Sequence, residues 1–167
     1  MIAYGLIVLG FIVRLLPHVP NTAPIAAIAL FAGAYLNRKL VPWVPLAIMV
    51  ITDLIIGVHD VALYTWGAFI VIGFIGMRLK ENKTPGRVFT STVFSAVLFF
   101  VISNFGVWFT WYPHTSEGFT RCFVNAIPFF RNTLFGNLVF AAVLFGSYEI
   151  AKRMVKEPKL RTVLLTE

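Results

Sequence analysis

Charge is what this sequence has least of. Only 13% of its 167 residues are charged, 14 Lys and Arg against 7 Asp and Glu. A soluble domain carries about a quarter. The lone cysteine, Cys122, excludes an internal disulfide and a cysteine-based zinc framework. There is no HExxH motif and no pair of histidines at i,i+4 spacing. A glycine-rich phosphate loop is also missing, because Gly73 and Gly76 lie inside an apolar run where helix packing accounts for them. No Ser–His–Asp order stands out. No lipid-attachment motif occurs. A signal peptide is not expected, because Arg14 follows the first apolar stretch instead of preceding it, and the cleavage-like Ala32-Gly33-Ala34 sits too late.

Apolar residues are abundant instead, at 59% with a mean hydropathy of +0.84. This composition predicts an integral membrane protein of one domain spanning residues 1–167. Backbone groups in lipid must be satisfied internally, by helices or a closed barrel. Long apolar runs without period-two alternation select an all-α fold. The expected spans are residues 2–16, 24–36, 41–57, 61–79, 88–112 and 128–151. The first two are short: fifteen residues cover only about 22 Å, against a hydrocarbon core of roughly 30 Å. Residues 116–126 read as a separate interfacial helix with Ser116 as cap and Glu117 in its first turn, and Pro128 as the start or kink of the last span.

The basic residues explain the net charge of +7. Arg38 and Lys39 follow the second segment. Arg78, Lys80, Lys83 and Arg87 follow the fourth. Lys152, Arg153, Lys156, Lys159 and Arg161 follow the sixth. The positive-inside rule assigns these alternate ends to the cytoplasm. The expectation is a compact six-helix bundle with both termini cytoplasmic. The charge is then a topology signal, and no nucleic-acid partner is expected.

The opposite loops, 17–23, 58–61 and 112–127, carry His18, His59 and His114, with Asn21, Asp60, Glu117, Arg121 and Cys122. Tyr64, Trp66, Trp108, Trp111 and Tyr112 lie nearby. Polar groups converging with aromatics at one end of a bundle describe a small-molecule pocket. A wet rim with an aromatic interface belt fits the same pattern. Asp53 is the one acid inside an apolar span, and such acids are functional candidates. Two readings fit it, a ligand contact or an ion pair with Arg14 at similar depth. Arg131 and Asn132 sit about a turn into the last span. They suit an anionic or amide group, or hydrogen bonds to neighbouring helices aided by Asn104, Asn125 and Asn137. Glu149 is expected to pair with Lys152 and Arg153 along the helix. A transition-metal site from His18, His59 and His114 would need tertiary folding to assemble it. The small-xxx-small pairs Ala23/Ala27 and Ala29/Gly33 suit close helix packing, either internal or against a partner helix.

Four motifs, RLLPHVPNTAPIAAIALFAGAYL, PLAIMVITDLIIGVH, SNFGVWFTWYPHT and NAIPFFRNTLFGNLVFAAVLFG, cover most of residues 12–147. In them the chain resembles an uncharacterised bacterial inner-membrane family related to the substrate-binding S components of energy-coupling-factor (ECF) vitamin transporters. It looks most similar to the solitary cobalamin transporters called BtuM. The resemblance implies six helices, a pocket under the outer loops, and a small-residue face on the early helices for a membrane coupling subunit. It also implies that His18 and Asp53 match a first-loop histidine and a third-helix aspartate of the BtuM site. BtuM proteins acting on cobalt also use a cysteine soon after that aspartate. Trp66 stands there instead, so the resemblance does not extend to thiolate ligation of cobalt.

The resulting expectation is a substrate-binding component for uptake of a vitamin, with cobalamin leading as bound substrate and no resident cofactor. Aromatics stack on a flat ligand, and His18, Asn21 and His59 hydrogen-bond its polar edge. Tyr64, Trp66, Asn104, Trp108, His114, Arg131 and Asn132 complete the expected site around Asp53. Membrane lipid surrounds it, and a coupling subunit and ATPases come from other chains if transport is ATP-driven. The alternatives are a metal-uptake protein, a structural subunit of a larger membrane complex, and an enzyme using Asp53 and His59 as acid and base.

Overall fold

The computed structural model describes residues 2–17 and 22–155. Six helices follow in order: α1 (Ile2–Leu15), α2 (Ile25–Tyr35), α3 (Trp43–Ile56), α4 (Ala62–Arg78), α5 (Pro85–Trp111) and α6 (Ser116–Val155). The described residues contain no strand. Two helices, α5 and α6, are long and apolar enough to cross a membrane.

Proline and glycine set most of the boundaries. Pro17 ends the chain's helical option after α1. Pro24 precedes α2, and its carbonyl accepts the Ile28 N–H at 2.9 Å. Pro42 precedes α3, which stops at Gly57 with φ 121°, a left-handed-side value that favours glycine. Helix α5 starts three residues before the expected 88, because Pro85 takes the first helical position and Thr84 caps it, accepting the Arg87 N–H at 3.4 Å.

The helices form a closed ring around one member. Helix α2 touches all five others, and these touch one another in the cycle α1–α3–α4–α5–α6–α1. Every residue from Ile25 to Ala34 is buried, so α2 is apolar on all sides as a core helix must be. Its backbone meets α4 directly. A Cβ added at Gly33 would run into the Gly73 carbonyl and the Gly76 backbone, and one at Gly76 into the Leu30 carbonyl. The small residues of α2 therefore serve internal packing, and that face is closed to an external helix. Replacing Gly76 with alanine should force α2 and α4 apart and cost about 1–3 kcal/mol. A thermal melt in mild detergent unchanged from the parent would refute this contact.

The last helix departs from expectation. Residues 116–126 and 128–151 are one continuous α6 of 40 residues with Pro128 inside it. The loss of one backbone donor at Pro128 is offset by packing on both sides. Phe100 of α5 meets Phe123 before the proline at 5.6 Å and Phe130 after it at 4.9 Å between ring centroids. The cap is also displaced by one residue: the Thr115 hydroxyl, not that of Ser116, accepts the Gly118 N–H at 3.1 Å.

Successive helices alternate in direction. The turns containing His59 and His114 lie at one end, and Arg38, Lys39, Lys80, Lys83, Lys152 and Arg153 at the other. His18, Asn21, Lys156, Lys159 and Arg161 lie outside the described residues.

Candidate solute-binding site

Asp53 sits in the last turn of α3, 3% exposed. Both carboxylate oxygens are engaged. Oδ1 accepts from Arg14 Nη2 at 2.8 Å, and Oδ2 accepts from Trp66 Nε1 at 2.8 Å. Arg14 Nε also donates to the Thr52 hydroxyl at 2.8 Å. Of the two readings of Asp53, the structure contains the ion pair. Trp66, expected as a stacking surface, is tied by its indole N–H to that carboxylate. His59 completes the cluster, with Nδ1 4.0 Å from Asp53 Oδ2 and Nε2 3.4 Å from the Thr65 hydroxyl. Gly57 makes this possible by turning the chain after α3, so that residue 59 returns over Asp53 and the start of α4.

Two cavities meet at His59. A lateral one of about 350 Å³ opens between α4, α5 and α6, and a central one of about 220 Å³ is lined from all six helices. They share His59, Thr65, Phe99 and Thr133. The polar groups follow helix periodicity. On α6, Cys122, Ala126, Phe129, Thr133 and Asn137 occupy one face, and on α5 so do Phe99, Phe100, Ser103, Asn104 and Val107.

Most of these polar groups spend their donors on their own helix. Thr65 donates to the Ala62 carbonyl at 2.9 Å, Ser103 to Phe99 at 2.7 Å, and Thr133 to Phe129 at 3.2 Å. Their oxygen lone pairs remain to accept. Asn104 Nδ2 likewise donates to the Phe100 carbonyl at 2.7 Å. Asn137 is the exception. It is 3% exposed, it lines the central cavity, and its Nδ2 has no hydrogen-bond partner among the described residues. Such a donor costs about 1–3 kcal/mol when left unpaired. The walls are the rings of Phe99, Phe100, Phe129 and Phe130, and the one full charge reaching the cavities, Arg14, is neutralised by Asp53.

The family model matches residues 1–160. The chain belongs to DUF6580, a family of unknown function. No curated protein and no solved structure matches it.

Of the expected site residues in this DUF6580 chain, the structure brings His59 and Asn104 to the lateral cavity, and Asp53 and Trp66 to the network beneath His59. Tyr64 lines neither cavity. Its ring packs on the backbone of Gly106, where an added Cβ would meet it, so it joins α4 to α5. Trp108 and His114 build the turn between α5 and α6: Trp108 Nε1 donates to the Pro113 carbonyl at 3.2 Å, and His114 Nε2 lies 2.9 Å from the Phe109 carbonyl. Arg131 is exposed on α6, and Asn132 is half-buried; neither lines a cavity. His18 and Asn21 are outside the described residues. Among the described residues no group of three His, Cys, Asp or Glu is placed to hold a metal. His59 and His114 belong to different clusters, one over Asp53 and one on the Phe109 ring.

Thr65, Ser103, Thr133 and Asn137 were not among the expected site residues. For Thr133 and Asn137 the signal was present in the spacing 122, 126, 129, 133, 137 on one helical face. Dividing the helix at Pro128 cut that face in two.

Proposed function

We propose that this DUF6580 chain is a multi-pass protein of a bacterial inner membrane that binds a small, flat, uncharged solute and takes part in its uptake. Asn137 carries the reading: a buried amide donor without a partner among the described residues, lining a cavity whose other polar groups offer acceptors. A ligand with both a carbonyl or ring-nitrogen acceptor and an N–H or O–H donor fits that arrangement. The phenylalanine walls favour a planar ring. Asn137 lines the central cavity of about 220 Å³, which shares His59, Thr65, Phe99 and Thr133 with the lateral cavity of about 350 Å³; a ligand reaching across both falls within the small-molecule range of ~300–1,000 Å³. A single- or two-ring vitamin suits it. Cobalamin, the substrate implied by the resemblance to BtuM and the S components, is larger than the two cavities joined and requires the helices around them to part.

The membrane placement rests on composition and on the basic end. Helix α6, about 60 Å long, is twice the ~30 Å hydrocarbon core; Glu117, Arg121 and Arg131 lie in its first half and Glu149, Lys152 and Arg153 near its end, so residues 132–148 form its uncharged stretch. The short α2 needs no lipid-spanning length, because the bundle encloses it and non-helical backbone at depth is tolerated when buried in protein. The basic end faces the cytoplasm on this reading. Energy for uptake comes from coupling and ATPase subunits of other chains or from the solute gradient.

Two measurements test the proposal. In a Cys122→Ala background, Asp60→Cys should react with a membrane-impermeant maleimide in intact cells, whereas Lys80→Cys should react only after lysis. The reverse pattern inverts the topology. The protein purified in mild detergent should release a stoichiometric aromatic solute on denaturation, read by absorbance and mass. An empty protein that binds no vitamin in titration, cobalamin included, removes the solute reading.

A further inference from the structure

A cleft of about 810 Å³ lies away from the solute cavities, between α5 and α6 at the basic end. Its walls are apolar: Val88 and Phe89 on α5, and Leu138, Ala142 and Phe145 on α6. Its rim holds Lys83, Lys152 and Arg153 with a single carboxylate, Glu149.

That carboxylate forms no ion pair with the cations among the described residues. Glu149 accepts from the Tyr35 hydroxyl at 2.9 Å. The expected pairing of Glu149 with Lys152 and Arg153 is absent, because cross-helix Tyr35 takes its place. The ion contacts among the described residues all belong to Asp53. Lys83 donates to the Lys80 carbonyl at 2.6 Å, and its ammonium stands 5.1 Å from the Tyr35 ring centre. Burial and then the Lys152 charge push the Lys83 ammonium below its ordinary lysine range. Glu149 partly offsets the Lys152 charge at Lys83 but forms no ion pair with the three cations among the described residues, so the rim keeps a net positive charge.

Along α6 the apolar lining runs from Leu138 to Gly146, about 12 Å of helix, and the polar rim continues to Arg153. One leaflet of hydrocarbon is about 15 Å deep, half of the ~30 Å core. An apolar groove of nearly that depth under a cationic rim matches an amphiphile with an anionic head better than a soluble anion. We propose that the α5–α6 cleft is a binding site for an anionic phospholipid, its phosphate at Lys83, Lys152 and Arg153 and one acyl chain along Phe89, Leu138 and Ala142. Basic pockets between membrane helices recognise lipid headgroups in this way. The site needs the membrane placement proposed above but not the solute-binding part of that reading.

The test is native mass spectrometry of the full chain released from nanodiscs that mix phosphatidylglycerol and phosphatidylcholine of identical acyl chains. Phosphatidylglycerol should remain bound at one per chain and phosphatidylcholine should not. Each of Lys83→Ala, Lys152→Ala and Arg153→Ala should weaken retention about fivefold, and the triple variant about a hundredfold. Gly146→Leu keeps every cation and has open space at its Cβ. It should displace the lipid by filling the apolar groove while leaving the thermal melt unchanged. Equal retention of both lipids, retention by the triple variant, or displacement by millimolar glycerol 1-phosphate in place of lipid would each overturn the proposal. Occupancy of the solute cavity is read in the same spectra, so the two sites succeed or fail separately.

Discussion

Replacing Asp53 with alanine while Arg14 remains is expected to destabilise the protein by about 3–5 kcal/mol. The cost comes from what is stranded. Arg14 loses the partner of Nη2, and Trp66 loses the acceptor of its indole N–H, both at 2.8 Å in the parent. The Arg14–Asp53 pair joins α1 to α3 at the histidine end, and the Trp66 bond extends it to α4. Arg14→Met should be similarly harmful, because a carboxylate 3% exposed then keeps only the Trp66 donor and distant His59. The double variant Arg14→Met/Asp53→Leu should recover most of the loss, since a buried pair exchanged for apolar side chains is often neutral. Thermal unfolding of the four proteins in one detergent measures the coupling. Additive losses would mean that the pair is not the unit holding these helices. Trp66→Phe, which removes one donor to a charged acceptor, should cost about 1.5–3 kcal/mol.

Asn137→Leu should act in the opposite direction on stability. Leucine is close in size and removes a buried donor with no partner. The melt should rise or stay level, because an unsatisfied donor costs about 1–3 kcal/mol. Solute retention should fall about tenfold or more, since the ligand loses the donor it was bound to satisfy. A structural asparagine gives the reverse result, a lower melt with unchanged retention, and that outcome would remove the observation on which the solute site stands. Thr133→Val, one turn earlier on the same face, deletes an acceptor and should weaken binding by a smaller factor.

The contrast between these sites marks how far the chain could be read without its fold. Asp53 was recognisable as exceptional because an acid in an apolar span is costly wherever it lies. Its partner was narrowed to Arg14 by depth alone. Asn137 looked like ordinary interhelical glue, and only the positions of neighbouring groups reveal that its Nδ2 has no acceptor among the described residues. Tyr64, Trp108 and His114 pointed to a pocket because aromatics and histidines gather at that end. The backbone of Gly106 and the carbonyls of Pro113 and Phe109 occupy them instead. Pro128 misled most. A missing N–H argues for a break, but Phe100 meets rings on both sides of it and the helix continues.

The sequence by itself determined the helical class, five of the six segments placed to within about three residues, and the gathering of basic residues at one end. Apolar run length, proline positions and charge are local properties, and a linear reading captures them. The tertiary structure decided that α2 is the hub of a five-helix ring, that its small residues face α4, and which polar groups meet a cavity. Those outcomes depend on helix rotation and close approach. A turn of one residue changes which side chain points inward, and the contact of Gly33 with Gly73 and Gly76 exists only once two distant segments cross.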